Sequence, residues 1–249
     1  QRCFPAMTKP GTEPVRLADY QPPSHRIETV SLDLSLQPEN TRVHARLSMV
    51  PERVDEPLVL DGDALKLVSV AIDGTKLEDD AYEATPDRLT IHAPPAEPFR
   101  LDVVTEISPV ANTALMGLYL SNNTYCTQCE AEGFRRITYF LDRPDVLAVY
   151  TTRIEAPKAT APVLLSNGNL VESGHVEGTD RHYAVWHDPF RKPAYLFAMV
   201  AGDLGLVTDT FTTMSGREVD LRIYCEHGKE ARCAYAMDAL KRSMRWDET

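Results

Sequence analysis

Apolar and polar residues alternate with a period of two along most of this chain, from about residue 25 to residue 200. In Val30-Ser31-Leu32-Asp33-Leu34-Ser35-Leu36 every other position is apolar, and Val43, Ala45, Leu47 and Met49 repeat the pattern among polar neighbours. Successive side chains of a strand point to opposite faces, so both segments read as strands with one face on a core and one in water. Shorter runs follow at Pro57–Leu60, Leu65–Ile72, Arg88–His92, Phe99–Ile107, Leu118–Tyr119, Val149–Ile154, Val163–Leu165, His182–Trp186 and Tyr195–Val200. Asp61-Gly62, Asp73-Gly74, Pro94-Pro95, Asn167-Gly168 and Asp188-Pro189 punctuate them as turn signals. Many short strands with no helical window between them predict a mainly β domain of antiparallel sheets packed as a sandwich. The 18 prolines against 12 glycines fit such a domain, with Pro protecting its edges.

The last fifth of the chain changes character. Leu206–Thr213 and Glu218–Tyr224 read as a hairpin across Ser215-Gly216. Cys233, Met237, Leu240 and Met244 then form one stripe of an amphipathic helix expected over Glu230–Arg245. No Gly, Asn or Pro closes that helix before Asp247-Glu248-Thr249, so it reads as the first helix of a domain that continues. The expected division is therefore 1–16, a disordered or processing-derived N-terminus; 17–203, a β-sandwich; and 204–249, the start of a further domain. Because its apolar stripe awaits that further domain, the helix is expected to be poorly buried.

Charge and cysteine content narrow the function classes. Asp plus Glu number 37 against 26 Lys plus Arg, a net charge of -11, whereas nucleic acid and anionic membranes call for basic patches. Neither is an expected partner. Ser108–Cys129 carries no charge, but Pro109, Asn112, Asn122 and Asn123 interrupt it, and a membrane span needs about 20 mostly apolar residues. The five cysteines, Cys3, Cys126, Cys129, Cys225 and Cys233, are odd in number and scattered, and the N-terminal stretch has no apolar run of a secretory signal. Both features favour a cytoplasmic protein.

Generic catalytic signatures are missing: no phosphate loop, no nucleophile elbow, no dinucleotide fingerprint and no His pair at helical zinc spacing. Cys126-Thr127-Gln128-Cys129 has Cys-x-x-Cys spacing, but without a second pair or a strand-to-helix context it reads as structural thiols. Asn122-Asn123-Thr124 matches a glycosylation sequon, which without a secretory signal reads as coincidence. Asp142-Arg143-Pro144-Asp145 reads as a turn with Pro at a first helical position. The densest cluster of chemistry is Gln128, Glu130 and Glu132, within five residues of an otherwise uncharged segment. Two of them could converge on a cation if the segment is an irregular loop over a cleft; otherwise they are solvated carboxylates.

The segment TQCEAEGFRRITYFLDRPDVLAVYTTRIEAP, from Thr127 to Pro157, resembles the N-terminal domain of the M1-type gluzincin zinc aminopeptidases of the bacterial aminopeptidase N group. TEISPVANTAL at 105–115, LLSNGN at 164–169, DPFRKPAYLFAMVAGDL at 188–204 and DTFTTMSGREVDLRIYCEHG at 209–228 extend the resemblance from about Leu17 to the end. It implies a saddle-like antiparallel β-sandwich followed by the first strands and helix of a thermolysin-like catalytic domain. It also implies a full-length enzyme that uses zinc to hydrolyse N-terminal residues from peptides. The family's zinc motif, His-Glu-x-x-His with a downstream Glu, and its Gly-Ala-Met-Glu-Asn strand do not occur in these 249 residues. No catalytic residue and no metal ligand is therefore expected here, and the fragment alone should bind no zinc and be inactive. The implied partners are peptides bound through their free N-terminus and the protein's own C-terminal catalytic domain. By motif position the residue that contacts the substrate's α-amine is Glu130, with Gln128 as its supporting partner. Two rivals stand beside this reading: a non-catalytic sandwich that docks proteins, and an epoxide-hydrolysing relative that should differ around Gln128–Glu130.

Overall fold

The computed structural model describes residues 16–249, so the expectation for the N-terminus, Cys3 included, lies outside the described residues except at Arg16. A single eight-stranded sheet forms the floor of the molecule. From one edge to the other it runs Asn169–His175, Arg181–Pro193, Leu147–Pro157, His25–Ser35, Thr41–Pro51, Phe99–Ile107, Lys66–Ile72 and Thr75–Lys76. The alternation that predicted these strands is their burial pattern: Val30, Leu32 and Leu34 face inward opposite Leu47, Ala45 and Val43. A bulge between Ile27 and Thr29 switches the inward parity of the first strand, so Ile27 and Val30 both reach the core.

Two smaller sheets close over that floor. One has three strands, in the order Leu58–Asp61, Arg88–Ile91, Tyr82–Thr85; the other has four, in the order Val163–Ser166, Met199–Gly202, Thr124–Gln128, Gly117–Ser121. Leu58, Leu60 and Ile91 from the first, and Leu118, Tyr125 and Met199 from the second, join the inward face of the large sheet in one apolar core. At about 25 cal/mol per Å² of apolar surface removed from water, burial on this scale is the main force holding the sheets together.

The observed architecture is the mainly β sandwich expected, with local corrections. The sheets are antiparallel except at the centre of the floor, where His25–Ser35 and Leu147–Pro157 run parallel. Parallel neighbours need a long crossover, and here residues 36–146 make it, running through four strands of the floor, the whole three-stranded sheet and two strands of the four-stranded one. The run at Tyr195–Val200 is not a single strand: Ala194–Leu196 makes a 3₁₀ turn and pairing begins only at Met199. Asn167 occupies the gap, accepting from the Ala198 amide at 2.7 Å and donating to the Leu196 carbonyl at 3.2 Å. Asp142-Arg143-Pro144-Asp145 is a turn, but no helix follows, because the Asp142 carboxylate bonds Arg135 and caps nothing.

The C-terminal segment forms a hairpin, Gly205–Thr212 with Glu218–Cys225, and a helix that starts as a 3₁₀ turn at Glu230–Cys233 and continues as α-helix over Ala234–Asp247. Phe211, Leu221 and Met237 make a separate small core. Met237 is the helix's single buried residue, while Leu240 of the same stripe is partly open to solvent. No helix among the described residues is long and apolar enough to cross a membrane.

Candidate functional site

The Gln128–Glu132 cluster sits where a two-residue hairpin meets an irregular loop. Asn122 and Asn123, both with positive φ, turn Gly117–Ser121 back into Thr124–Gln128. This is the backbone of a tight hairpin, which Asn tolerates better than most residues, and it accounts for the Asn-Asn pair without glycosylation. Gln128 is the last strand residue, paired with Gly117. The segment is thus strand up to Gln128 and irregular only beyond it.

Beyond Gln128 the chain folds back tightly on the hairpin. The Gly133 amide donates to the Cys129 carbonyl at 2.8 Å, and Phe134–Arg136 forms one 3₁₀ turn. A Cβ on Gly133 would lie 2.4 Å from the Gln128 carbonyl oxygen and 3.0 Å from the Gly117 amide nitrogen, so only glycine allows this approach. Gly117 has φ +72°, and a Cβ there would strike Arg136. Two glycines in backbone contact therefore clamp the loop to the hairpin base.

Underneath, Phe134 is fully buried and packs edge-on to Phe140, Phe197 and Tyr150 at centroid distances of 4.7, 5.3 and 6.1 Å. Thr105 of the large sheet donates to the Ile137 carbonyl at 3.0 Å. Cys129 is buried in the same floor, and burial, with Asp142 nearby, pushes its thiol up to about 12. Cys126, also shifted upward by burial, donates weakly to the Thr124 carbonyl. Burial disfavours the thiolate that redox chemistry needs, and both thiols are free.

Glu130 and Gln128 are both exposed at the loop's surface. Gln128 Nε2 donates to the Glu130 carbonyl at 3.1 Å, so its amide holds the main chain of the loop and not the carboxylate. Among the described residues the Glu130 carboxylate has no hydrogen-bond or ion-pair partner, whereas that of Glu132 faces Arg135 at 3.6 Å. The two carboxylates are two residues apart and differ in partners: that of Glu132 lies in a long, solvent-exposed ion pair, and that of Glu130 has none among the described residues.

No group of three or more His, Cys, Asp or Glu side chains that could hold a metal ion occurs among the described residues. His182 Nε2 donates to the Ala161 carbonyl at 2.7 Å, and His187 sits 3.0 Å from the Thr151 hydroxyl, both structural roles. The sequence carried no signal for the residues that fix this loop from below. Arg135 and Asp142 stand seven apart in no recognisable motif, yet the Arg135 amide and Nε both donate to Asp142 Oδ2 at 3.1 Å.

A fold of this kind, a large mixed sheet capped by two smaller ones with a glycine-clamped loop at its surface, is that of an M1 peptidase N-terminal domain, whose family model matches residues 20–196; the chain belongs to that family. It is 56% identical over 237 residues to aminopeptidase N of Caulobacter vibrioides and 51% identical over 231 residues to aminopeptidase N of Escherichia coli. These alignments cover 94% and 92% of this chain but 27% and 26% of the relatives, so the chain spans about a quarter of their length. Among solved structures it superposes on Legionella pneumophila aminopeptidase A in complex with aspartic acid with a TM-score of 0.88 at 36% identity, over 94% of this chain and 28% of that one. An M1 zinc metallopeptidase from Deinococcus radiodurans, at 18% identity and a TM-score of 0.69, shares the fold over 82% of this chain and 48% of its own.

Proposed function

We propose that this chain is the N-terminal part of a zinc metalloaminopeptidase, and that it supplies the loop that receives the free α-amine of a peptide substrate. The observation that carries this reading is the unpaired Glu130 carboxylate, presented at the surface by a loop that two glycines and a buried aromatic ring hold rigid. An aminopeptidase must measure one residue inward from a cationic amine, so it needs a fixed carboxylate at a set distance from the scissile bond. The α-amine has a reference pKa near 7.7–8.0 and is mostly charged at neutral pH. Gln128 supports the anchor by holding the Glu130 carbonyl. The family membership and the two close aminopeptidase N relatives support the same reading.

The zinc implied by the family finds no fitting ligand set among the described residues. In this reading residues 204–249 open the catalytic domain, the metal is held by residues outside this chain, and the chain alone has no peptidase activity. The same reading places the protein in the cytoplasm, where the free thiols of Cys126, Cys129, Cys225 and Cys233 would persist.

The test compares Glu130→Gln and Glu132→Gln in the full-length enzyme on one free-amine substrate. Loss of a charge-assisted contact should lower kcat/KM by about 10- to 150-fold for Glu130→Gln, equivalent to roughly 1.5–3 kcal/mol. Glu132→Gln should change it far less, since that carboxylate already faces the Arg135 guanidinium. A folded Glu130→Gln enzyme within twofold of wild type would refute the assignment.

A further inference from the structure

We infer that Arg135 is a positioning residue for the Glu130 loop: docked on the buried Asp142, it fixes the main chain from which Glu130 projects and pairs with Glu132, leaving Glu130 as the loop carboxylate without an ion-pair partner. The catalytic part of this inference rests on the amine-anchor reading; the structural part does not.

Arg135 follows Glu130 by five residues, and its contacts run in three directions. Toward the interior, its amide and Nε donate to Asp142 Oδ2, both at 3.1 Å, and a terminal nitrogen donates to the Asp142 carbonyl at 3.0 Å. The side chain of Asp142 is 2% exposed, so this acceptor cannot swing away. Sideways, the guanidinium faces Asp61 at 3.7 Å and the Arg135 carbonyl accepts from the Asp63 amide at 3.0 Å, tying the loop to the three-stranded sheet. Outward, the remaining terminal nitrogen faces Glu132 at 3.6 Å. The planar five-donor fork of arginine can serve these directions at once, which the single ammonium of lysine cannot. Arg136 cannot stand in, because it is committed to Asp63 at 2.8 Å.

The consequence is a single register for a cation. Two free carboxylates two residues apart would offer a substrate amine two positions and so two distances to the scissile bond. Pairing with Arg135 sets Glu132 against a second cation and so favours the Glu130 position. Docking on Asp142 fixes the backbone from which the other projects. Asp142 is buried at a net cost: burial pushes its carboxyl up, and the bonds from Arg135 only partly offset this. Removing Arg135 would leave that carboxylate buried and unpaired, which is strongly destabilising locally.

Two measurements decide the matter. In the 249-residue chain, maleimide labelling resolved to the single residue by fragment-ion mass spectrometry reports on Cys129, which lies buried at the root of the loop, with half-buried Cys126 as the reference. Arg135→Lys and Arg135→Gln should each accelerate Cys129 labelling about tenfold relative to Cys126; unchanged labelling in a folded variant overturns the clamp. In the full-length enzyme, Arg135→Gln should raise KM for a free-amine substrate about tenfold with kcat within threefold, and Arg135→Lys should lie between it and wild type. Should Arg135→Gln fail to fold, Arg135→Lys carries both measurements. An unchanged KM alongside a Glu130→Gln enzyme that is impaired refutes the positioning role. If Glu130→Gln is itself silent, the amine-anchor reading fails instead, and the labelling result still judges the clamp by itself.

Discussion

Phe134, at the centre of the large core, lies against three aromatic rings and is wholly buried, whereas Met237, the deepest side chain of the C-terminal helix, shares its cluster with buried Phe211 and Leu221 and with the partly buried Val207, Val219, Ile223 and Met244. Both regions are built from regular elements with good local propensity. They differ in how many elements meet: three sheets enclose the first core, while one hairpin and one helix enclose the second. The helix keeps Tyr235 and Trp246 at 76% and 79% exposure, and an ion pair between Lys241 and Asp209 fastens it to the hairpin. Apolar contact area, and not secondary structure, is what separates a self-supporting region from one held by a few contacts.

The sharpest way to break this comparison is truncation of each centre. Phe134→Ala should destabilise the whole sandwich by about 3–5 kcal/mol in denaturant unfolding, since the surrounding rings cannot collapse into the space. Met237→Ala should cost about 2 kcal/mol, and its effect should appear as faster amide exchange over 205–247 with the large sheet unaffected. Equal effects, or a global response to Met237→Ala, would mean that the two cores fold as one.

Glycines make the next test. Gly133→Ala should cost about 3 kcal/mol, because its new carbon would lie against the rigid Gln128 carbonyl. Gly216, in the C-terminal hairpin turn, has φ +82° but open space around it, so Gly216→Ala should cost about 1 kcal/mol of backbone strain alone. Thermal melts of the two variants supply the check, and the reverse order would contradict the contact geometry.

Charge distinguishes the regions more weakly. Burial pushes Glu155 of the large sheet up, but hydrogen bonds from Arg181 and Arg153 outweigh it and leave the carboxyl below its ordinary value of 4.5. A lowered folded value means stability that is complete above pH 4.5 and lost as pH falls through the folded value. Arg181→Met should therefore flatten the acid limb of the stability curve below that pH. Asp238→Asn, in the exposed Arg242 pair of the helix, should change stability by only about 0.3–0.5 kcal/mol. A steeper acid limb in Arg181→Met would reverse the sign argued for Glu155.

Much of this was legible in the chain. The period-two runs marked most floor strands, because a strand between core and water needs that alternation. The strand Asn169–His175 escaped notice since it is an exposed edge and buries almost nothing. Thr124–Gln128 escaped because a short strand between Asn-Asn and a loop offers too few positions to show a period. Gln128 and Glu130 stood out as polar residues in an uncharged stretch, and the structure separates their roles: the amide holds a carbonyl and the carboxylate is free.

By itself, then, the amino-acid sequence determined the β architecture, most of the turns and the residue types at the loop, since alternation, Asn and Gly conformations and local charge act over a few residues. Asp188-Pro189, read as a turn, instead lies inside the strand Arg181–Pro193, beside a bulge in its pairing with Leu147–Pro157. The tertiary structure alone decided the parallel pairing of His25–Ser35 with Leu147–Pro157, the contact of Gly133 with Gly117, and the choice of Glu132 over Glu130 as the partner of Arg135. Each of these depends on which distant surfaces meet and which charges lose their water in doing so, and no local pattern encodes that.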